Sequence, residues 1–429
     1  MALILKNLRS SQNIDGLFAI ALGALACTFL APQKWVNLAT GLVLLVWIKA
    51  LIQGSLSANP TERLGLFLIL GLFLLQVAGL AYSEELPAGL RIIETKSSFL
   101  IACLILTIKL DRIKIRAVML FFALAITAGC LWCQTIGIKQ IIDLDEPYSY
   151  FLVNYRYQST YLTAPLDISP IYFSLFVGLS ILLIREFIDF SRPTRSALLL
   201  IWLAYLFIFL ILLGTRTIFL SFTIIFTLTT IPRVSRKWRM LTGISLVAAF
   251  AFVLVYLVTK THLADRYLSF LNPDSFTNAP VGPNISNYFH FWSWKCAANS
   301  MHGFTWITGV GTGDENLVLN RCYVVSGVPQ MAEGNFNAHS EYLSELLRHG
   351  LPGLALLLSA LILPLIHILR RHRINWLYVS FLALFCLASA TESTFSISRG
   401  VLYFAVFNSL LIKNWLNEGI EKLMPTRIQ

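Results

Sequence analysis

An all-α, polytopic membrane fold is what this sequence predicts, and three observations predict it. Of 429 residues, 57% are apolar and 13% charged, with a mean hydropathy of +0.71. That is too oily for a soluble chain of this length. Twelve apolar runs each come close to the roughly 17–20 residues that a helix needs to cross a hydrocarbon core about 30 Å thick. One long polar interval, residues 260–350, interrupts them in the second half.

The runs lie at 14–31, 35–54, 64–82, 93–109, 115–137, 168–187, 196–213, 216–231, 240–259, 351–369, 375–390 and 398–412. Within the first, Ala24-Leu-Ala-Cys27 faintly resembles a lipoprotein cleavage site. Alanine stands three residues before the cysteine, where leucine is usual, and eleven further runs follow, so it is read as a retained first helix. The expected organisation has three parts. Residues 1–259 hold helices 1 to 9 with short loops and one longer outward loop near 138–167. Residues 260–350 form a large outward loop containing helices, and residues 351–429 hold helices 10 to 12 and a tail.

The net charge of +11 is explained by where the charges fall. With the N-terminus cytoplasmic, 21 of the 33 basic residues and seven of the 22 acids collect on the inner side. The positive-inside rule accounts for that asymmetry, so no nucleic-acid partner is implied and membrane lipids are the expected surroundings. Both long loops then face outward. They are rich in aromatic residues such as Tyr155, Tyr161, Trp292 and Trp294. Such side chains suit a membrane interface first, and sugar rings or prenyl chains second.

Seven cysteines are scattered without metal-binding spacing, so no metal site is indicated. Cys130 and Cys133 form a CxxC inside an apolar run, where buried thiols are the ordinary reading. Cys296 and Cys322 are the only cysteines in the outward loops. They are candidates for a disulfide in an oxidising compartment, against two packed free thiols.

Candidate functional residues cluster on the outward side. Arg216, in Gly214-Thr-Arg-Thr217 between two spans, either snorkels to the interface or turns into an outward cavity to bind an anion, where a guanidinium can fork onto phosphate oxygens. Arg266 follows the ninth span. Gly309, Gly311 and Gly313 lack the dinucleotide spacing and suit tight turns and close backbone approach. From His339, Leu343, Leu346 and Leu347 recur at helical spacing, with Gly350 as a stop before the tenth span. A histidine there is either a packed polar residue, the commoner case at a membrane surface, or a group suited to accept a proton from a sugar hydroxyl. Glu392 and Arg399 are candidates for a supporting ion pair. Arg91 and Lys96 are further outer cations, read first as solvated or helix-end charges.

Gly-Thr-Arg-Thr at the start of a span, Trp294-Lys-Cys-Ala-Ala leading to Gly-Val-Gly-Thr-Gly313, and His339-Ser followed by Gly350 and Gly353 resemble the O-antigen ligase and polymerase superfamily. The resemblance covers about 170 to 412, and the late outward loop most resembles the ligases. It implies a GT-C-like glycosyltransferase fold with about twelve transmembrane helices in a bacterial inner membrane, a large periplasmic loop and cytoplasmic termini. It also implies transfer of a glycan from undecaprenyl diphosphate to a sugar hydroxyl of lipid A core oligosaccharide, metal-independent, inverting and without a cofactor. By position, His339 corresponds to the proposed base, and Arg216 and Arg266 to arginines that engage the diphosphate. Aligning on Trp294 puts His290 where the superfamily often has arginine, and no role is assigned to it. A polymerase, a protein O-glycosylating member and, from another class, a transporter of lipid or solute are the rival readings.

Overall fold

The structure is a computed structural model and describes residues 14–189, 191–260, 268, 272, 274–277, 286–370 and 374–423. Among them every regular element is helical. The main helices are α1 (Ile14–Cys27), α2 (Gln33–Ile52), α3 (Pro60–Gly79), α4 (Leu86–Lys96), α5 (Leu100–Leu106), α6 (Arg112–Asp143), α7 (Pro170–Arg185), α8 (Pro193–Leu212), α9 (Arg216–Thr230) and α10 (Arg239–Lys260). They continue with α11 (Ser286–Asn299), α12 (Glu315–Val325), α13 (Glu341–Leu369), α14 (Trp376–Thr391) and α15 (Ser398–Leu423).

Local chemistry sets several helix starts. Asn59 and Glu62 form a reciprocal capping box with Pro60 at the first turn of α3, while Asp111 and Asn375 accept backbone N–H bonds at α6 and α14. These side chains satisfy donors that a helix start leaves unpaired.

Each of the twelve apolar windows falls on helix, and the 93–109 window is split between α4 and α5 by a 3₁₀ turn, Ser97–Phe99. Six helices are long and apolar enough to cross a membrane by themselves. The number rises to seven if the bent pair Tyr155–Leu166 and Pro170–Arg185, which meet at 87°, counts as one span. The others are shorter or more polar because protein surrounds them. Fifteen of the 16 residues of α7 are buried. On α15 every residue from Gly400 to Asn414 is buried, and two of its polar groups are paired with other helices: Tyr378 Oη donates to Asn408 at 2.7 Å and Lys413 donates to Glu62 at 2.5 Å. Around α15 the rings of Phe29, Phe122, Phe176, Tyr403 and Phe407 interlock, with Phe29 meeting Phe122 and Phe176 edge-on at 5.5 and 5.4 Å. That edge-on geometry sets positive ring edges against negative faces.

Contacts between helix ends fall into separate sets. Lys413 reaches Glu62 and the Leu106 carbonyl, Asn417 the Leu110 carbonyl, and Lys114 sits 3.9 Å from Asp15. All of these belong to the segments assigned inward by charge. The outward segments touch one another instead: the α3–α4 turn meets residues 308–314, and Arg399 meets Ala31 and Asp167.

The large loop carries its own small core, in which Tyr288, Cys296, Leu319, Tyr323, Met331 and Leu347 are buried together. Cys296 and Cys322 are disulfide-bonded across α11 and α12, with a Cα–Cα distance of 5.6 Å. Cys130 and Cys133 are unbonded buried thiols within α6. Gly350 ends the helical conformation that starts at Glu341, and a second helical stretch follows it directly. The glycine is a break inside α13, at φ 63° and ψ −157°, a backbone region that is essentially glycine-only. The break lies against the Trp306 and Ile307 carbonyls, which a Cβ at Gly350 would approach to 2.7 and 2.6 Å.

Candidate functional site

Where α7 and α9 begin, a cavity of about 440 Å³ opens between the spans and the large loop. Its wall includes Ser169, Pro170 and residues 214–218, so the N-termini of both helices border it. Helix N-termini present unpaired N–H groups and positive dipole ends, which favour an anion. Arg216, the first residue of α9, is turned inward and only 8% exposed. Its Nη2 donates to Asn287 Oδ1 at 3.1 Å, and Asn287 in turn donates to Ser275 Oγ at 3.1 Å. The inward reading of Arg216 therefore describes the geometry, and snorkelling does not.

His290, Phe291, Trp294 and Glu392 complete the opposite side of the cavity. His290 lies 4.8 Å, ring to ring and edge-on, from His339. Burial, then the nearby His339 and Arg216, push its imidazole down to about 3. It is therefore neutral at ordinary pH, and its buried Nδ1 has no hydrogen-bond partner.

His339 stands one side chain behind this wall. It does not line the cavity itself, but it touches three residues that do. Its Nδ1 is 3.8 Å from Glu392 Oε2, its carbonyl accepts from Trp294 Nε1 at 3.2 Å, and its ring packs against His290. At 3.8 Å the Glu392 contact is electrostatic and too long for a hydrogen bond. The backbone of His339 is left-handed, φ 44°, with its N–H held by Asn337 Oδ1 at 3.0 Å. Nε2 is buried without a partner.

The other sequence candidates are placed differently. Arg266 lies outside the described residues. Arg399 makes no ion pair with Glu392 among the described residues; it donates to the Asp167 and Ala31 carbonyls at 3.2 and 2.9 Å and ties three segments together. Arg91 is exposed on α4, away from the cavity wall. Lys96 is not a solvated charge. It is 1% exposed and paired with Glu341 at 3.2 Å and with Glu345.

That pairing exposes a group of residues that sequence reasoning missed. Glu345 also accepts from Gln76 Nε2 and faces His349 Nδ1 at 2.9 Å, Arg348 pairs with Glu315, and Thr312 Oγ1 donates to the Gln76 carbonyl at 2.7 Å. Two cations and His349 thus meet three carboxylates in a buried network joining α3, α4, α12 and the start of α13. Buried charges persist only when paired, and removing one partner of such a pair typically costs about 3–5 kcal/mol. Their spacing, at 341, 345, 348 and 349, reads in sequence as one polar helix face. The available signal was the coincidence of that face with a lone lysine at the edge of an apolar run.

Residues 200–358, a little over a third of the chain, match the model of the O-antigen ligase family. The matched stretch runs from within α8 to within α13 and contains Arg216, His290, Trp294, the Gly309–Gly313 turn and His339. Comparison with curated proteins gives no match.

Proposed function

We propose, for a chain that the match over residues 200–358 assigns to the O-antigen ligase and polymerase superfamily, that it is a membrane glycosyltransferase acting as an O-antigen ligase. In this reading it transfers a glycan from undecaprenyl diphosphate to a sugar hydroxyl of lipid A core oligosaccharide. About twelve helices span a bacterial inner membrane, both termini are cytoplasmic and the site opens to the periplasm. The observation that carries the reading is the single cavity that has Arg216 and two helix N-termini on one side and Glu392, backed by His339, on the other.

The chemistry follows from that division. Arg216 forks hydrogen bonds onto the diphosphate, assisted by Arg266, and stabilises the charge that grows as the bond to the anomeric carbon breaks. His339 serves as the base for the acceptor hydroxyl proton by way of Glu392, which lines the cavity and lies 3.8 Å from its Nδ1. The hydroxyl oxygen forms its bond to the anomeric carbon from the side opposite the leaving group, and the diphosphate departs with the electron pair, so the configuration inverts. A diphosphate leaves readily as an anion, which makes a metal-independent displacement sufficient.

The test supplies purified protein with undecaprenyl-diphosphate-linked glycan and lipid A core, without nucleotide and with a chelator present. Ligated product is expected. His339→Ala is expected to lower turnover by about 10²- to 10⁴-fold, the usual contribution of a general base, while donor still binds. Arg216→Ala weakens both donor binding and turnover, and Arg216→Lys restores little because an ammonium cannot fork. Extension of the lipid-linked glycan without the core acceptor would mark a polymerase. Bound donor with no covalent product would sink the enzyme reading, and a fully active His339→Ala would remove the base assignment.

A further inference from the structure

Two residues beyond His339, Glu341 opens α13 and is 1% exposed. It bonds twice to the turn that follows α14. Its backbone N–H donates to the Glu392 carbonyl at 3.1 Å, and its Oε2 accepts from the Phe395 amide at 2.8 Å. Neighbouring contacts run in parallel: Ser340 Oγ donates to the Ser389 carbonyl at 3.4 Å and Ser344 Oγ lies 3.2 Å from Ser393 Oγ. The remaining carboxylate oxygen, Oε1, accepts from Lys96 Nζ at 3.2 Å. One residue therefore grips both ends of the 392–395 turn, main chain on one side and side chain on the other. The Glu392 carboxylate faces His339 from that turn.

We propose that Glu341 is a positioning residue: it clamps the 392–395 turn so that Glu392 stays opposite His339, and Lys96 on α4 supplies the counter-charge that lets the clamp be buried. The proposal rests on the ligase reading above, in which His339 and Glu392 serve the transfer step. The cavity's cation, Arg216, sits on another wall and is anchored by Asn287. Loosening the clamp should then slow turnover and leave donor binding alone.

The experiment measures ligation kinetics with the full chain in detergent, and hydrogen–deuterium exchange of the segment 392–396. Glu341→Ala is expected to lower kcat about 10- to 100-fold, the scale of a misplaced catalytic group, with donor KM within about twofold of wild type. Exchange at the Phe395 amide should rise in the same variant. Glu341→Gln keeps a side-chain oxygen for that amide and should restore slow exchange and most of the turnover. Should Glu341→Ala not fold, Glu341→Leu fills the same volume and leaves Lys96 paired with Glu345, so the clamp is removed without an unpaired buried charge, and the same kcat loss and faster exchange are expected. Wild-type kcat in the variants that lack the clamp, donor KM rising in step with any loss, or unchanged exchange would each overturn the proposal. If wild-type protein forms no ligated product, the ligase reading fails separately, and the exchange data alone decide whether the clamp exists.

Discussion

At the scale of single residues, His290 is the group whose surroundings have the plainest consequence. Burial, with the His339 ring and Arg216 beside it, holds its imidazole at about 3, whereas an unfolded chain's histidine titrates near 6.5, to order of magnitude. Between those values the unfolded state binds a proton that the folded state refuses, so stability rises with pH. The slope for one proton is about 1.4 kcal/mol per pH unit, largest in the middle of the window and absent above it. The melting temperature in detergent is therefore expected to fall from pH 7 to pH 4.5. His290→Gln should flatten part of that fall while behaving like wild type at pH 8. An identical pH slope in the variant would show that His290 titrates normally in the folded protein. Neutral His290 also leaves Arg216 as the one cation among the cavity residues described, which concentrates anion binding on α9.

At the scale of elements, the large loop owes its order to two devices. One is the Cys296–Cys322 bond, which ties α11, the helix of His290 and Trp294, to α12, the helix of Glu315. Closing a loop of this sequence separation, 26 residues, constrains the unfolded chain by about 3.5 kcal/mol in the chain-entropy model. Cys296→Ser, or reduction under mild denaturant, should lower the melting temperature and raise proteolysis within 286–325, and wild-type stability after confirmed reduction would contradict that. The other device is a backbone crossing. Gly309, at φ 71°, lies against the Arg348 carbonyl, and Gly350 against the carbonyls of Trp306 and Ile307. The sequence shows both loop cysteines and the close-approach role of the glycines, because each residue type has few reasons to occupy such a loop. It does not show that Lys96 and the charged face of α13 are buried against each other, since amphipathic spacing says which side chains share a face and not whether water or another charge meets it. Nor could it bring Arg216, His290 and Glu392 to one cavity, for that convergence is made by contacts among helices far apart in sequence.

At the scale of the whole molecule, the helix windows were legible because an apolar run of membrane length has few other uses, while the number of crossings was less so. Length and composition alone qualify six or seven spans, because α7 and α15 sit among other helices and need not satisfy a lipid's demands along their full length. The proposed twelve-span orientation adds α7 as a crossing, and this can be checked directly. Tyr148, 71% exposed, lies before α7 in the proposed periplasmic loop, and Arg195, also exposed, lies after it in the proposed cytoplasmic one. In a variant that retains only Cys296 and Cys322, Tyr148→Cys and Phe304→Cys should react with a membrane-impermeant maleimide on spheroplasts. Arg195→Cys should react only after lysis. The basic cluster around Arg233 to Arg239 supports the same assignment, since lysines and arginines are retained on the cytoplasmic face. Labelling of Tyr148→Cys and Arg195→Cys from the same side would mean that the helix pair bent by 87° enters and leaves one face. The cavity at the start of α7 would then open at the floor of a re-entrant loop, and the route by which a lipid-linked donor reaches Arg216 would have to be drawn from the other side of the bundle.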